Sequence, residues 1–159
     1  AMTEPDQDQT TPTIWVDADG VPGAVKDIIF NASQRTKAPV RLVANRWQQT
    51  PPFRWISAVV VEGGLDVADD YIAEQCMAGD LVITSDVPLA ARVIEKGAIV
   101  VRFRGEVLDA SNVQQRLQVR DFFDDLRGTG VQTGGPPPYG PKDKQRFANA
   151  LDRWLAARR

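Results

Sequence analysis

Short, unbroken apolar runs alternate with longer amphipathic segments along most of this chain. The runs predict buried β-strands over residues 13–16, 40–44, 58–61, 81–84 and 98–101. Apolar residues at helical spacing predict helices over 22–36, from Asp66 onward, over 88–96, and near 111–127 and 142–158. Unbroken apolar strands are typical of parallel sheets covered on both faces by helices. We therefore expect an α/β fold with three layers, α/β/α.

The chain contains no histidine and a single cysteine, Cys76. The lack of histidine excludes Ser-His-Asp and Cys-His triads and every metal site that needs an imidazole ligand. One cysteine also excludes an intrachain disulfide framework and a cysteine-rich zinc site. We interpret Cys76 as packing on the apolar face of its helix, together with Val67, Ile72, Ala73 and Met77. Chemistry in this chain must therefore use carboxylates, hydroxyls, Lys, Arg or backbone groups.

Composition also suggests how the chain is organised. Residues 1–12 are polar and contain two prolines, which predicts a disordered leader before a single domain over 13–159. The Gly- and Pro-rich segment over 132–141 predicts a loop, either a rigid link or a lid. No apolar run reaches the roughly 18 residues that a membrane helix requires. We therefore expect a cytoplasmic protein that makes no membrane contact.

Charge is distributed unevenly between the two parts of the chain. Residues 102–159 hold 11 Lys and Arg against 7 Asp and Glu, which leaves 8 against 14 in residues 1–101. This asymmetry has two interpretations. It is either unevenly solvated surface charge, or a metal site beside a surface that contacts a polyanion.

Polar side chains recur where the predicted strands end and the next helices begin. In doubly wound sheets the ligand crevice lies beyond the carboxyl ends of the strands, where the strand order reverses. We therefore expect several of these side chains to converge on one crevice. They are Asp17, Asp19, Asn45, Asp66, Asp69, Asp70, Thr84, Ser85 and Asp86.

Helix capping is the alternative explanation for these acids. Asp is a favoured N-cap, and acids in the first turn suit the helix dipole; Asp66 with Asp69 even approximates a capping box. One cap per helix suffices, however, and two acids end the first strand. Converging carboxylates repel, and a bound Mg²⁺ or Mn²⁺, each a hard cation that takes oxygen ligands, relieves that repulsion. An all-oxygen metal site is therefore the metal hypothesis that fits a chain without histidine.

The connector over 45–55 carries Trp47, Phe53 and Trp55 next to Arg46 and Arg54. Aromatic rings beside basic residues can stack on the bases of a single-stranded nucleic acid. The same rings can instead pack the connector onto the sheet. The sequence leaves both interpretations open.

Five segments together resemble the YaiI/YqxD family, a bacterial family of uncharacterised proteins grouped with PIN-like nuclease domains. The resemblance runs from about Ile14 to Leu155, which is nearly the whole chain. The segments are 14–19 (IWVDAD), 42–45 (LVAN), 66–69 (DVAD), 79–90 (GDLVITSDVPLA) and 132–138 (QTGGPPP). The family commonly reads Asp-Ala-Asp-Ala-Cys-Pro in the first of these regions, whereas Gly20, Val21 and Pro22 follow Asp19 here. A role for a thiol at that position is therefore absent.

The PIN-like relationship implies a five-stranded parallel sheet of order 3-2-1-4-5. It also implies a carboxylate cluster that binds Mg²⁺ or Mn²⁺ and hydrolyses phosphodiesters, usually of RNA. Carried over residue by residue, Asp17 matches the acid that ends the first strand and Asp86 the acid that ends the fourth. Asp69 is the best match for the acid on the helix, with Asp66 and Asp19 as its neighbours.

These observations predict a metal-dependent nuclease that acts on RNA. Asp17, Asp19 and Asp86 are the predicted catalytic residues, and the predicted metal ligands are Asp17, Asp66, Asp69 and Asp86. We expect three residues to contact phosphate or to orient the carboxylates, namely Asn45, Thr84 and Ser85. The basic C-terminal helices and Arg46 or Arg54 are predicted to guide the strand.

Two further functions stay open at this stage. Residues 16–20 (VDADG) also resemble the opening motif of haloacid-dehalogenase-like phosphatases, which would make Asp17 a nucleophile. Against this, no later lysine motif is evident and the helix begins too early for a cap insertion. The other alternative is a non-catalytic protein that binds RNA or a nucleotide in the acidic pocket.

Overall fold

The computed structural model describes residues 11–130, 135 and 137–158, in which the chain forms six strands and five helices. The strands are β1 (Ile14–Asp17), β2 (Val40–Ala44), β3 (Ile56–Val60), β4 (Leu81–Ile83), β5 (Ile99–Val101) and β6 (Val107–Leu108). The helices are α1 (Gly23–Thr36), α2 (Leu65–Gln75), α3 (Val87–Glu95), α4 (Val113–Gly128) and α5 (Pro141–Ala157). The predicted alternation of strands and helices is confirmed.

The strands form one open sheet of order β3-β2-β1-β4-β5-β6. The first five strands are parallel, and β1 lies at the centre, with Val16 in register with Leu42 of β2 and Ile83 of β4. The strand order reverses between β1 and β4, because the chain passes from β1 outward to β3 and then returns through α2. This reversal fixes the place where a ligand crevice is expected in a doubly wound sheet.

The sixth strand corrects the expected five-stranded sheet. β6 runs antiparallel to β5, with Val101 opposite Val107, and a tight turn joins the two strands. In that turn Arg102 N donates to the carbonyl of Glu106 at 2.8 Å, and Gly105 has a φ of +96°. A strand of two residues is too short to show an alternating pattern, so the sequence did not predict it.

Helices cover both faces of the sheet, as a three-layer α/β/α fold requires. On one face α1 and α5 pack over the sheet through Val25, Ile29, Phe147 and Leu151. On the other face α2, α3 and α4 pack through a second cluster that includes Ile72, Leu89, Val93 and Val113. These two clusters hold β1 and β4 rigidly between them, so the ends of these strands are fixed positions.

Element boundaries differ from the sequence prediction by one or two residues, and the differences at β3 and α2 are examples. β3 begins at Ile56, two residues earlier than expected. α2 ends at Gln75, and Cys76 has an extended backbone. Met77 is consequently 57% exposed, and its predicted place on the buried helix face is wrong, whereas Cys76 is buried as predicted.

Asp80, just before β4, anchors the opposite end of the sheet from the predicted site. Its buried carboxylate accepts hydrogen bonds from the backbone N–H of Thr13 and of Met77 at 3.0 and 2.9 Å, and from the Trp15 indole N–H at 3.0 Å. Three donors satisfy this buried charge, so Asp80 ties the start of β1 to the end of α2.

One predicted segment lies largely, and another partly, outside the described residues. Of the predicted leader over 1–12, residues 1–10 lie outside the described part of the chain. Of the predicted loop over 132–141, residues 132–134 and 136 lie outside it. Within the part of the chain that the structure covers, no helix is long and apolar enough to cross a membrane.

Candidate active site

The carboxyl ends of β1 and β4 lie side by side where the strand order reverses. Asp17 is the last residue of β1, and Thr84, Ser85 and Asp86 follow β4 directly. From the neighbouring layer, α2 contributes Asp69 to the same region. The structure thus brings together acids that are far apart in the sequence.

Thr84 connects the two strand ends. Its buried hydroxyl donates to Oδ2 of Asp17 at 2.8 Å and accepts the backbone N–H of Asp86 at 3.0 Å. A buried hydroxyl with both hydrogen-bonding functions engaged is held in one rotamer. Thr84 therefore orients the Asp17 carboxylate rather than facing a substrate.

Asp86 has a structural role as well as its place in the site. It is the N-cap of α3, where its Oδ1 accepts the backbone N–H of Leu89 at 3.1 Å. One carboxylate oxygen satisfies the helix terminus, and the other remains available to a ligand. The capping explanation thus holds for Asp86 without excluding a functional role.

Asp19 and Asn45 form the side of the site nearest β2. Asp19 Oδ2 accepts the backbone N–H of Asn45 at 2.9 Å, which fastens the turn after β1 to the end of β2. The side-chain oxygen of Asn45 is buried and has no hydrogen-bond partner among the described residues. A buried acceptor without a donor is costly, so this atom is suited to accept from a bound molecule.

The local electrostatics disfavour the charged form of two acids. Burial raises the pKa of Asp17 to about 6; the Thr84 hydroxyl opposes this effect, and the charges of Asp86 and Asp19 add to it. Burial, followed by the charges of Asp86 and Asp17, raises the pKa of Asp69 to about 7, and a hydrogen bond from its protonated form to Asp86 contributes as well. Above these pKa values the cluster formed by Asp17, Asp69 and Asp86 therefore concentrates negative charge in one place.

The chemistry of these side chains fits a hard divalent cation. Carboxylates and an amide oxygen are the donors that Mg²⁺ and Mn²⁺ prefer, and a cation would remove the mutual repulsion of the acids. In the described ranges, however, no three acidic or cysteine side chains are already arranged to hold one metal ion. The acids are therefore neighbours in one crevice and not a preformed three-ligand cage.

Other predicted residues lie at the edge of this cluster. Asp66 is exposed in the first turn of α2, where Gly64 and not Asp66 is the N-cap, so the capping box suggested by the sequence is wrong. Asp70 is also exposed and pairs with Arg92 at 2.8 Å. Arg46 is exposed beyond β2, next to Trp47, which is 73% exposed.

A groove lined by arginines adjoins the carboxylates. It has a volume of about 680 Å³ and lies between the start of α3, the β5–β6 turn and α4. A smaller cavity of about 460 Å³ contains the acids of α2. Asp86, Pro88 and Arg120 line both cavities, so the two are adjacent parts of one surface. The arginines that line the groove are Arg102, Arg116, Arg120 and Arg127.

Residues 15–157 match the model of the family described as "Uncharacterized BCR, YaiI/YqxD family". The chain belongs to the YaiI/YqxD family. It is 54% identical over 143 residues to a UPF0178 protein of Xanthomonas campestris pv. campestris (strain 8004), covering 90% of this chain and 89% of that protein. It is also 54% identical over 145 residues to a UPF0178 protein of Pseudoalteromonas atlantica, covering 91% and 99%, respectively. No solved structure matches the chain.

The UPF0178 proteins that this YaiI/YqxD protein resembles carry no activity in their names. The match confirms the predicted family over nearly the whole chain. The chemistry of the YaiI/YqxD protein must therefore be argued from its own residues.

The excess of Lys and Arg over residues 102–159 indicates a basic surface, but it does not single out the four arginines that line the groove of this YaiI/YqxD protein. A signal for three of them is nevertheless present, because Arg116, Arg120, Phe123 and Arg127 recur at the spacing that places residues on one face of a helix. Arg102 has no such signal. It reaches the groove because the turn before β6 brings it against Ser85, whose carbonyl accepts from its guanidinium at 3.4 Å.

Proposed function

We propose that this protein hydrolyses phosphodiester bonds in RNA with the help of Mg²⁺ or Mn²⁺. The observation that carries the proposal is the cluster of Asp17, Asp69 and Asp86 at the switch point of the sheet, two of whose members have raised pKa values. Perturbed carboxylates in a crevice are more frequent at functional sites than elsewhere. The adjacent arginine groove supports a polyanionic substrate.

In this proposal Asp17, Asp69 and Asp86 would hold the divalent cation, which would supply Lewis-acid chemistry for the attack of water on the phosphate. The protein contributes orientation: Thr84 fixes the Asp17 carboxylate, and the start of α3 fixes Asp86. A chain without histidine can perform this chemistry, because no imidazole base is required.

Asp19 and Asn45 have supporting roles in the same proposal. The hydrogen bond from Asn45 N to Asp19 holds the turn after β1 in place. The unpartnered oxygen of Asn45 is suited to accept from a bound water molecule or from a ribose hydroxyl of the substrate. Ser85, which follows β4, and Arg46, which follows β2, are proposed to contact the phosphates of the strand.

The proposal is tested by incubating the purified protein with single-stranded RNA and Mn²⁺, with EDTA in a parallel reaction. We expect cleavage with Mn²⁺, and a loss of at least about 100-fold in Asp17→Asn and in Asp86→Asn, because removal of a metal ligand should cost at least as much as loss of its supporting residues. Asp152→Asn on α5 is the matched control, since it removes one exposed carboxylate far from the site. Cleavage that persists in both site variants would come from a contaminant and refute the proposal.

Two other outcomes would replace the proposal with an alternative. Labelling of Asp17 by beryllofluoride, without RNA cleavage, would indicate a phosphatase that uses Asp17 as its nucleophile. RNA binding without cleavage, whichever divalent cation is added, would indicate a non-catalytic RNA-binding protein. Each result contradicts the nuclease function and leaves the fold and the family unaffected.

A further inference from the structure

The arginine groove is formed by three elements that meet beside the carboxylates. Ser85, Asp86 and Pro88 form its inner end, the β5–β6 turn contributes Arg102 and Glu106, and α4 forms the outer wall. With a volume of about 680 Å³ the groove is larger than the acidic cavity next to it. A substrate bound at the carboxylates can therefore extend into it.

One face of α4 supplies most of the charge. Arg116, Arg120, Phe123 and Arg127 line the groove at intervals of four, three and four residues, which places them in one row along the helix. At 1.5 Å per residue, the row extends over about 16 Å. A row of this length contacts more than one phosphate of an extended strand and differs from a pocket for a single anion.

The arginines remain able to bind phosphate although each has an acidic partner. Glu106 pairs with Arg102 and Arg116, Asp124 pairs with Arg120 and Arg127, and Asp121 also pairs with Arg120. Each guanidinium has five N–H donors and uses only some of them in these pairs. Across the groove itself, four arginines face two carboxylates, Asp86 and Glu106.

The guanidinium of Arg102 is the clearest example of an arginine with N–H donors that make no hydrogen bond within the described residues. Its Nη1 pairs with Glu106 at 2.8 Å and its Nη2 donates to the Ser85 carbonyl at 3.4 Å. Its Nε is buried without a hydrogen-bond partner in the part of the chain that is described. A guanidinium fixed in this way at the inner end of the groove, next to Asp86, is oriented before any ligand arrives.

The groove also contains an aromatic ring. Phe123 lines it and is 41% exposed, and its neighbour Phe122 contacts it edge-on at 5.6 Å between ring centroids. An exposed ring beside guanidinium groups stacks on unpaired bases, whereas the bases of a duplex are already stacked on one another. The groove thus favours a single strand over a double helix.

We infer that this groove binds a single-stranded stretch of RNA, with the phosphates on the arginines of α4, a base on Phe123, and the strand leading to Asp86. The inference rests on the proposed function and adds to it the form of the substrate and the direction from which it reaches the carboxylates. Asp86 and Arg120 line both cavities, which makes the path from the groove to the acids continuous.

Binding is measured in EDTA, so that cleavage does not enter the result, by the fluorescence anisotropy of a labelled single-stranded 12-mer RNA. The double variant Arg116→Gln, Arg127→Gln removes two phosphate contacts. Each contact contributes a factor of about five at 0.1 M salt, so we expect binding to weaken roughly 25-fold. The slope of log affinity against log salt concentration should become smaller in magnitude by about 1.4.

The matched control is Arg35→Gln, on α1 in the opposite layer. It also removes one exposed arginine from an ion pair, with Asp152 at 3.2 Å, and should leave affinity and salt slope unchanged. Unfolding midpoints of all variants establish that they are folded, since exposed ion pairs contribute little to stability. Equal affinity of the double variant and the wild type would overturn the inference.

Stacking is tested separately with Phe123→Ala. We expect weaker binding of the single strand by roughly 5- to 100-fold, as for the loss of one stacked base, and no change for a blunt RNA duplex. Phe122→Ala is the control, because it breaks the same ring contact but removes a side chain that does not line the groove. An equal loss in both variants would contradict the assigned role of Phe123.

The two proposals fail in different ways. Groove-dependent binding in EDTA without cleavage in Mn²⁺ would refute the nuclease function and uphold the binding groove. Cleavage with an unchanged KM in the double arginine variant would uphold the nuclease and overturn the groove. Preference for a duplex, or an equal affinity for both forms, would contradict the inference that the substrate is single-stranded.

Discussion

Replacing Asp17 by Asn should make the protein more stable, although Asp17 lies at the centre of the proposed site. The pKa of its carboxyl rises from 3.8 to about 6 on folding, chiefly because the group is buried. A tenfold change in proton affinity corresponds to about 1.4 kcal/mol, so the charged carboxylate lowers the free energy of unfolding by about 3 kcal/mol. Asn has a similar shape and no charge, and its side-chain oxygen can still accept the hydrogen bond from Thr84.

The sign of the effect depends on pH in a way that identifies its cause. The pKa of Asp17 is higher in the folded state than in the unfolded state. Asp17 therefore does not lower the free energy of unfolding below about pH 3.8, and it lowers it progressively as the pH rises through about 6. The gain from Asp17→Asn should therefore be about 3 kcal/mol at pH 8, about half of that at pH 5, and close to zero below pH 4.

Urea unfolding followed by tryptophan fluorescence, at pH 8 and pH 5 in EDTA, measures this gain. Asp152→Asn is the control, because an exposed carboxylate on α5 should change the free energy of unfolding by no more than about 0.5 kcal/mol at either pH. A gain of the same size at both pH values would show that charge is not its cause. A loss of stability at pH 8 would refute the argument that the buried charge of Asp17 destabilises the fold.

Three further predictions concern pH, a buried carboxylate and a turn. Mn²⁺-dependent RNA cleavage should rise between about pH 6 and 7, because Asp17 and Asp69 must lose their protons to hold a cation; a flat rate profile from pH 5 to 8 would contradict this. Asp80→Ala should lower the free energy of unfolding by about 3 kcal/mol, measured in urea, since it removes the acceptor of three N–H donors, one buried and two partly buried. Gly105→Ala should cost about 1–3 kcal/mol more than Gly79→Ala. Both glycines have positive φ, but the new Cβ at Gly105 would lie 2.6 Å from backbone of α5, whereas no described atom lies within 4 Å of the Cβ at Gly79; equal midpoints in urea would contradict this.

The fold could be predicted because its central strands are buried on both faces. Runs such as Leu81–Ile83 are then apolar without interruption, and the intervening helices show a clear periodicity. β6 was missed because its place depends on the turn at Gly105 and on pairing with β5, which are tertiary contacts. A segment of two residues carries no such pattern by itself.

The positions of Asp17 and Asp86 in the candidate site could be predicted from the same pattern of parallel strands. Parallel strands place their carboxyl ends at one edge, so the relation between Asp17 and Asp86 follows from the order of the strands. For Asp66 and Asp69 the sequence could not decide which acid faces the strands, because that depends on the rotation of α2. The structure places Asp69 beside Asp86 and leaves Asp66 exposed.

Two acids at opposite ends of the sheet, Asp80 and Asp17, lie in contrasting environments. Asp80 is buried and accepts three hydrogen bonds from N–H groups, which is how a fold stabilises a charge that it retains for structural reasons. Asp17 accepts one hydrogen bond from Thr84, and burial, followed by the charges of Asp86 and Asp19, raises its pKa. The charge of Asp17 destabilises the fold at neutral pH, and it lies near a groove of arginines. We expect such an arrangement at a site that binds a ligand, because proteins commonly lose stability where function requires it.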